Sequence, residues 1–314
     1  MDNISFIFPG QGSQKLGMLS DLAESFPVIR SAFQVASDVI GEDLWEVIQI
    51  DSKGILSKTE ITQPVLLTAS VAIWRAWTSL TDVKPNVLAG HSLGEYSALV
   101  CSDALSFEEG VSLVHFRGCA MQNAVPKGKG RMAAILGLTE VTVQELCDKA
   151  RKQSGLVAPA NINAENQIVI SGEVSAVELA IEFCKSAGAK RALPLEVSVP
   201  SHCELMRNAA VELEERLESI EFKNPNIDVV QNVDGEIQTA VPVIKSNLVK
   251  QLYMPVRWTD CVESVYRSGC NHILECGPGR VLTGLVKRSH PSIKCFLSDT
   301  PEAIEEANDI LSQL

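Results

Sequence analysis

The chain has 314 residues, 46% hydrophobic and 21% charged, with a formal net charge of −12. That length fits one large domain or a domain carrying an insertion, and the acidic balance argues against nucleic acid as a partner, since that requires a basic face. Charges such as Arg75 interrupt the longest apolar runs, well short of a membrane span, so no membrane association is expected.

Residues 4–8 are apolar and read as a buried first strand, with no basic leader before them. That predicts a cytoplasmic protein. The glycine-rich turn Pro9-Gly10-Gln11-Gly12-Ser13-Gln14 follows. It lacks the third spaced glycine of a nucleotide loop and reads as a strand-to-helix connection. Helical periodicity covers 23–40 and 44–48, and Thr62-Gln63-Pro64 reads as a helix start, with a threonine cap and a proline in the first turn.

The most informative stretch is Gly90-His91-Ser92-Leu93-Gly94. An apolar strand precedes it and a helical segment follows, which is the strand–turn–helix setting of a G-x-S-x-G nucleophile elbow. The helix N-terminus behind the serine offers free N–H groups to a developing oxyanion. Ser92 is therefore the candidate nucleophile, and Gln11 is placed to add a second N–H from the first loop.

Residues 107–124 predict a helix carrying His115, Arg117 and Met121. The polar, glycine-rich 126–130 marks a boundary. Beyond it, strand and helix signals run β-α-β-β-α-β within 128–197, the ferredoxin-like order. This predicts an inserted α+β subdomain at 128–197 inside a larger α/β domain formed by 1–127 and 198–314. The outer segments alternate strand and helix, as in a hydrolase-like parallel sheet with helices on both faces.

A serine nucleophile needs a base, and the base needs an orienting partner. Of the five histidines, His202 has the turn-like setting required, whereas His91 follows the elbow backbone away from Ser92. No Asp or Glu presents itself as the third member of a triad. The nine cysteines are scattered without a C-x-x-C pair, which favours buried reduced thiols over disulfides or a metal. No metal and no bound cofactor is expected.

Several stretches together resemble the family of bacterial malonyl-CoA:acyl carrier protein transacylases. They are Phe8-Pro9-Gly10-Gln11-Gly12-Ser13-Gln14, Thr62-Gln63-Pro64, Gly90-His91-Ser92-Leu93-Gly94-Glu95-Tyr96, Arg117-Gly118, Val199-Pro200-Ser201-His202, Gln251-Leu252-Tyr253 and Glu275-Cys276-Gly277-Pro278-Gly279. They occur in the family's order across almost the whole chain. Cys276 departs from the valine frequent in relatives and reads as a packing swap.

The resemblance implies a Ser92–His202 dyad whose imidazole is oriented by the backbone carbonyl of Gln251, which accounts for the missing acid. It implies an oxyanion hole from the N–H groups of Gln11 and Leu93, and an Arg117 that binds the free carboxylate of a malonyl group. Gln63, His91 and Asn163 would lie near the acyl pocket. The implied substrates are malonyl-CoA and an acidic, phosphopantetheinylated acyl carrier protein, in fatty acid synthesis. An acidic enzyme meeting an acidic partner needs a local cationic patch, for which Lys185, Lys190, Arg191, Arg280, Lys287 and Arg288 are candidates. Two other readings stand beside this one: a hydrolase using the same elbow with water, and a non-catalytic module that binds carrier proteins.

Overall fold

The structure, a computed structural model, describes residues 3–197 and 199–314. The expected boundary residues 1 and 198 lie outside the described residues. The chain begins β1 (Asn3–Phe8), α1 (Ser20–Ser25), α2 (Pro27–Ile40), α3 (Leu44–Gln49), α4 (Thr59–Leu80), β2 (Val87–Gly90), α5 (Leu93–Cys101) and α6 (Phe107–Ala124). A second stretch holds β3 (Gly130–Leu136), α7 (Glu140–Ser154), β4 (Val157–Ala164), β5 (Gln167–Glu173), α8 (Val174–Ser186) and β6 (Arg191–Pro194). The last third holds α9 (Arg207–Glu218), β7 (Asp228–Val230), α10 (Val241–Gln251), α11 (Trp258–Arg267), β8 (Cys270–Glu275), α12 (Val281–Ser289), β9 (Lys294–Leu297) and α13 (Pro301–Leu311).

The fold is mixed α/β. Five strands form a parallel sheet in the order β7-β2-β1-β8-β9. Alternation along β1 divides its side chains between two cores. Ile4, Phe6 and Phe8 enter the large core with Phe33, Trp77 and Tyr96. Ile7, with Val87 and Ala89 of β2, packs on the other side against Trp258, Val265 and Leu285. Helices thus cover both faces, as strands that are apolar on both sides require.

The second stretch forms an antiparallel sheet in the order β4-β5-β3-β6. Ile135, Ile168 and Ile170 bury one face against Val143 and Cys147 of α7 and Val177 and Ile181 of α8. The opposite face presents Met132, Ala160 and Val169. It joins the main body through Val256, which donates to Ala160 O at 2.9 Å and accepts from the Ile162 N–H at 2.8 Å. A cleft of about 310 Å³ runs along this junction, lined among others by Met132, Val169, Ser92, His202, Val281 and Leu285.

Two helix boundaries differ from the sequence reading. Residues 23–40 are two helices, because Pro27 at the first position of α2 cannot donate to a preceding turn. Helix α4 starts at Thr59 rather than Thr62, so Pro64 lies inside it. The carbonyl that Pro64 cannot serve is that of Glu60, and His115 Nδ1–H donates to it at 2.8 Å. A tertiary contact therefore replaces the missing helical bond. Thr62 is no cap: its hydroxyl donates to Leu56 O at 2.5 Å.

The elbow is held by close backbone approach. A Cβ on Gly90 would stand 1.9 Å from the Gly94 carbonyl carbon, and one on Gly94 would stand 2.0 Å from Phe8 O. Neither neighbour is a side chain that could move aside. Gly90→Ala should therefore cost at least the upper part of the roughly 1–3 kcal/mol typical of overpacking. Gly284→Ala, on an α12 position with open space around it, should instead be neutral or stabilising by up to about 1 kcal/mol. Urea unfolding of the two variants checks the contrast.

Candidate active site

Ser92 stands between β2 and α5 with φ 52° and ψ −106°, a conformation that side-chain-bearing residues rarely adopt. Three contacts hold it there. Its N–H donates to Asn232 Oδ1 at 2.7 Å, the Asn232 amide donates to Gly90 O at 2.6 Å, and Gln251 Nε2 donates to Ser92 O at 3.0 Å. The helix behind it is buried at every position of α5, so the turn is anchored by core packing on one side and by amides on the other.

His202 also has positive φ, 60°, and is 4% exposed. Its Nδ1–H donates to the backbone carbonyl of Gln251 at 2.7 Å. That bond fixes the tautomer and leaves the Nε2 lone pair to accept the Ser92 hydroxyl, 2.8 Å away. Burial, reinforced by the positive charge of Arg117, pushes the imidazole pKa down to about 3. His202 is therefore neutral across the physiological range, the state in which it can take a proton. Among the described residues no carboxylate touches it.

Gln11 and Ser92 both line the cleft. Among the described residues no acceptor of the chain takes the N–H of Gln11 or of Leu93, the first residue of α5. The Gln11 side chain accepts from Thr59 Oγ1 at 3.1 Å, and Gln63 Nε2 donates to the same hydroxyl at 2.9 Å. This chain of contacts leads to Arg117.

Arg117 is 1% exposed. One Nη donates to Gln63 Oε1 at 2.6 Å. The other reaches Gln251 Oε1 at 2.9 Å and Ser92 Oγ at 3.3 Å, and Nε has no partner among the described residues. Its protein partners are thus uncharged, and among the described residues it forms no ion pair with a carboxylate. A buried guanidinium so placed carries its charge beside Ser92 with only uncharged partners.

The remaining sequence candidates fall at the same cleft. His91 Nε2–H donates to Asn163 Oδ1 at 2.8 Å, and both line the opening. They face the site without bonding to Ser92 or His202. Burial lowers the His91 pKa, so this imidazole too is neutral.

Comparison with known proteins identifies the family. The profile of the acyl transferase domain matches residues 5–303. The malonyl CoA-acyl carrier protein transacylase of Escherichia coli strain K12 is 47% identical over 310 residues, covering 99% of this chain and all of that protein. The chain belongs to the acyl transferase family.

Other members of the family match over almost the whole length. The Bacillus subtilis malonyl CoA-acyl carrier protein transacylase is 42% identical, covering 100% of this chain and 98% of that protein. The Coxiella burnetii enzyme of the same name superimposes with a TM-score of 0.97 at 44% identity, covering 99% of this chain and 98% of that one. A malonyl-transacylase solved in complex with a type II polyketide acyl-carrier protein has a TM-score of 0.96 at 49% identity, covering 98% of this chain and 99% of that one.

In this acyltransferase, more residues hold the elbow than the sequence reading found. Asn232 and Glu95 were missed. Glu95 is fully buried, and its Oε2 accepts from the Asn232 N–H at 2.9 Å and from Gln251 Nε2 at 3.0 Å. Its signal was available, as the one ionisable acid in an otherwise uncharged helix beside the nucleophile. Asn232, at a strand-to-turn junction, gives no such signal. The six candidate cationic residues are all exposed. Arg280 caps α12, Lys287 and Arg288 lie in its last turn, and Arg288 donates to Gln167 at the cleft rim. Lys185 and Lys190 flank the turn between α8 and β6, and none of the six lines the cleft itself. No helix among the described residues is long and apolar enough to cross a membrane.

Proposed function

We propose that the chain transfers a malonyl group from malonyl-CoA to the phosphopantetheine thiol of an acyl carrier protein, through a malonyl ester on Ser92. The observation that carries this reading is the buried Arg117 guanidinium, 3.3 Å from Ser92 Oγ and without a carboxylate partner among the described residues. A planar fork matches a carboxylate, so the site favours an acyl group that ends in one.

In the first half-reaction, His202 Nε2 takes the Ser92 proton as Oγ bonds to the thioester carbonyl carbon. The N–H groups of Gln11 and Leu93 receive the oxyanion. The C–S bond then breaks, and His202 returns the proton to the departing CoA sulfur. The second half-reaction runs in reverse order with the carrier thiol as nucleophile, and the ester C–O bond breaks to restore Ser92. Gln251 orients the imidazole through its carbonyl throughout. Gln63 steadies the guanidinium, while His91 and Asn163 shape the acyl side of the cleft.

On this reading residues 128–197 are an inserted subdomain that roofs the cleft, and the carrier protein approaches across the exposed cations of α12. The setting is fatty acid synthesis in the cytoplasm, which suits nine cysteines that are all free. A hydrolase is disfavoured by the carbonyl partner of His202 and by the carboxylate-seeking arginine. Intact-mass spectrometry after incubation with malonyl-CoA should find a single malonyl adduct that Ser92→Ala removes. Absence of the adduct from the unmodified protein overturns the reading.

A further inference from the structure

Glu95 is a fully buried acid one turn from the nucleophile, and the mechanism above does not use it. Its Oε2 accepts two hydrogen bonds, from the Asn232 N–H and from Gln251 Nε2, while its Oε1 has no partner among the described residues. The far end of the same Gln251 amide accepts from Arg117. The amide can point only one way. Its nitrogen faces Ser92 O, Glu95 Oε2 and Asn232 Oδ1, all acceptors, and its oxygen faces the guanidinium, a donor.

We propose that Glu95 is a positioning residue for acyl selectivity, acting as an uncharged carboxylic acid that holds the Gln251 amide and, through it, the Arg117 fork. This rests on the reading of Arg117 as the clamp for the acyl carboxylate. An ionised Glu95 would leave an anionic Oε1 buried without a donor. It would also set a second negative charge behind the arginine, opposing the incoming acyl carboxylate. The neutral acid keeps the same two acceptor bonds without that opposition.

The groups that face Glu95 are Arg117 of α6, Asp234 after β7, Cys261 of α11 and its own neighbour Tyr96. Burial raises the Glu95 carboxyl to about 8, against the opposing effects of its hydrogen bonds and of Arg117. Burial also raises the Cys261 thiol well above its ordinary value and pushes Tyr96 up to about 12. Glu95 therefore changes charge between neutrality and mildly alkaline pH. Its proton is present below about pH 8 and is lost above it.

The test follows the rate of adduct formation on Ser92, from malonyl-CoA and from acetyl-CoA, between about pH 6 and pH 9.5. In the unmodified protein the malonyl-to-acetyl ratio should hold up to about pH 8 and then fall, approaching tenfold per pH unit as the neutral fraction declines. Taking the ratio cancels titrations common to both donors, His202 included. Glu95→Gln keeps an acceptor oxygen with no charge, so its ratio should match the unmodified value at pH 7 and stay flat to the top of the range. Glu95→Ala removes the acceptor and should lower the ratio at pH 7 by about tenfold. A Glu95→Gln profile that overlays the unmodified one overturns the proposal, as does a Glu95→Ala ratio unchanged at pH 7. Should Glu95→Ala fail to fold, the Glu95→Gln profile decides alone. An unmodified protein with no preference for malonyl at any pH would instead refute the reading of Arg117, a distinct result.

Discussion

Replacing His202 with alanine should slow acylation of Ser92 by about 10²–10⁴-fold, the usual contribution of a positioned general base. The geometry makes the loss specific. The Ser92 hydroxyl has the imidazole Nε2 at 2.8 Å as its acceptor, and Arg117 approaches it only as a donor. Without the imidazole the proton has no acceptor at the right place, because the guanidinium beside it offers only donors. Malonyl-CoA should still bind, because Arg117 and Gln63 do not depend on His202 for their contacts. Single-turnover rates by rapid quench, read beside the binding constant, separate the two effects. The pH profile of the unmodified protein carries the same signature. An imidazole pushed down to about 3 by burial and by Arg117 stays deprotonated through the range where an ordinary histidine, near pH 6.5, gains its proton. Acylation by acetyl-CoA should therefore show no acid limb near pH 6.5, and a limb there would mean that His202 is far better solvated than its surroundings imply.

Arg117→Ala should lower kcat/KM for malonyl-CoA by about 10²–10⁴-fold while leaving acetyl-CoA within a few fold. Two charge-assisted hydrogen bonds to a carboxylate, at about 1.5–3 kcal/mol each, set that range. Arg117→Lys keeps the charge but loses the planar fork, so it should recover only part of the malonyl rate. The side chain is large and buried, with a cation–π contact 5.3 Å from the Tyr96 ring, and truncation leaves a cavity. Thermal denaturation of both variants therefore belongs beside the kinetics. A loss shared equally by both donors would assign Arg117 to the integrity of the elbow rather than to the choice of acyl group.

The elbow was legible because its grammar is local: an apolar strand, two glycines that admit close backbones, and a helix start. The parallel sheet and the strand order of 128–197 were legible for the same reason, through periodicity and turn residues. Gln251 was not legible from residue types, because its orienting group is a backbone carbonyl, which every residue possesses. Its role came only from resemblance. Arg117 sits on a helix whose pattern gives no hint that this position is buried beside Ser92, and burial of a charge is a property of the packed elements around it. Pro64 misled in the opposite sense. Proline usually opens a helix, but here His115 from a distant helix makes an interior proline tolerable.

The contacts that hold Ser92 also impose an order of assembly. The nucleophile meets His202 across 110 residues, Asn232 across 140 and Gln251 across 159. Such distant closures come late, because each must overcome the entropy of the intervening chain. During synthesis from the N-terminus, the strand and helix around Ser92 exist long before any of these partners. An incomplete chain thus carries an ordinary serine, and the reactive one appears only when the final third has docked. On the proposed mechanism, acylation of Ser92 is in this sense a report of completed folding.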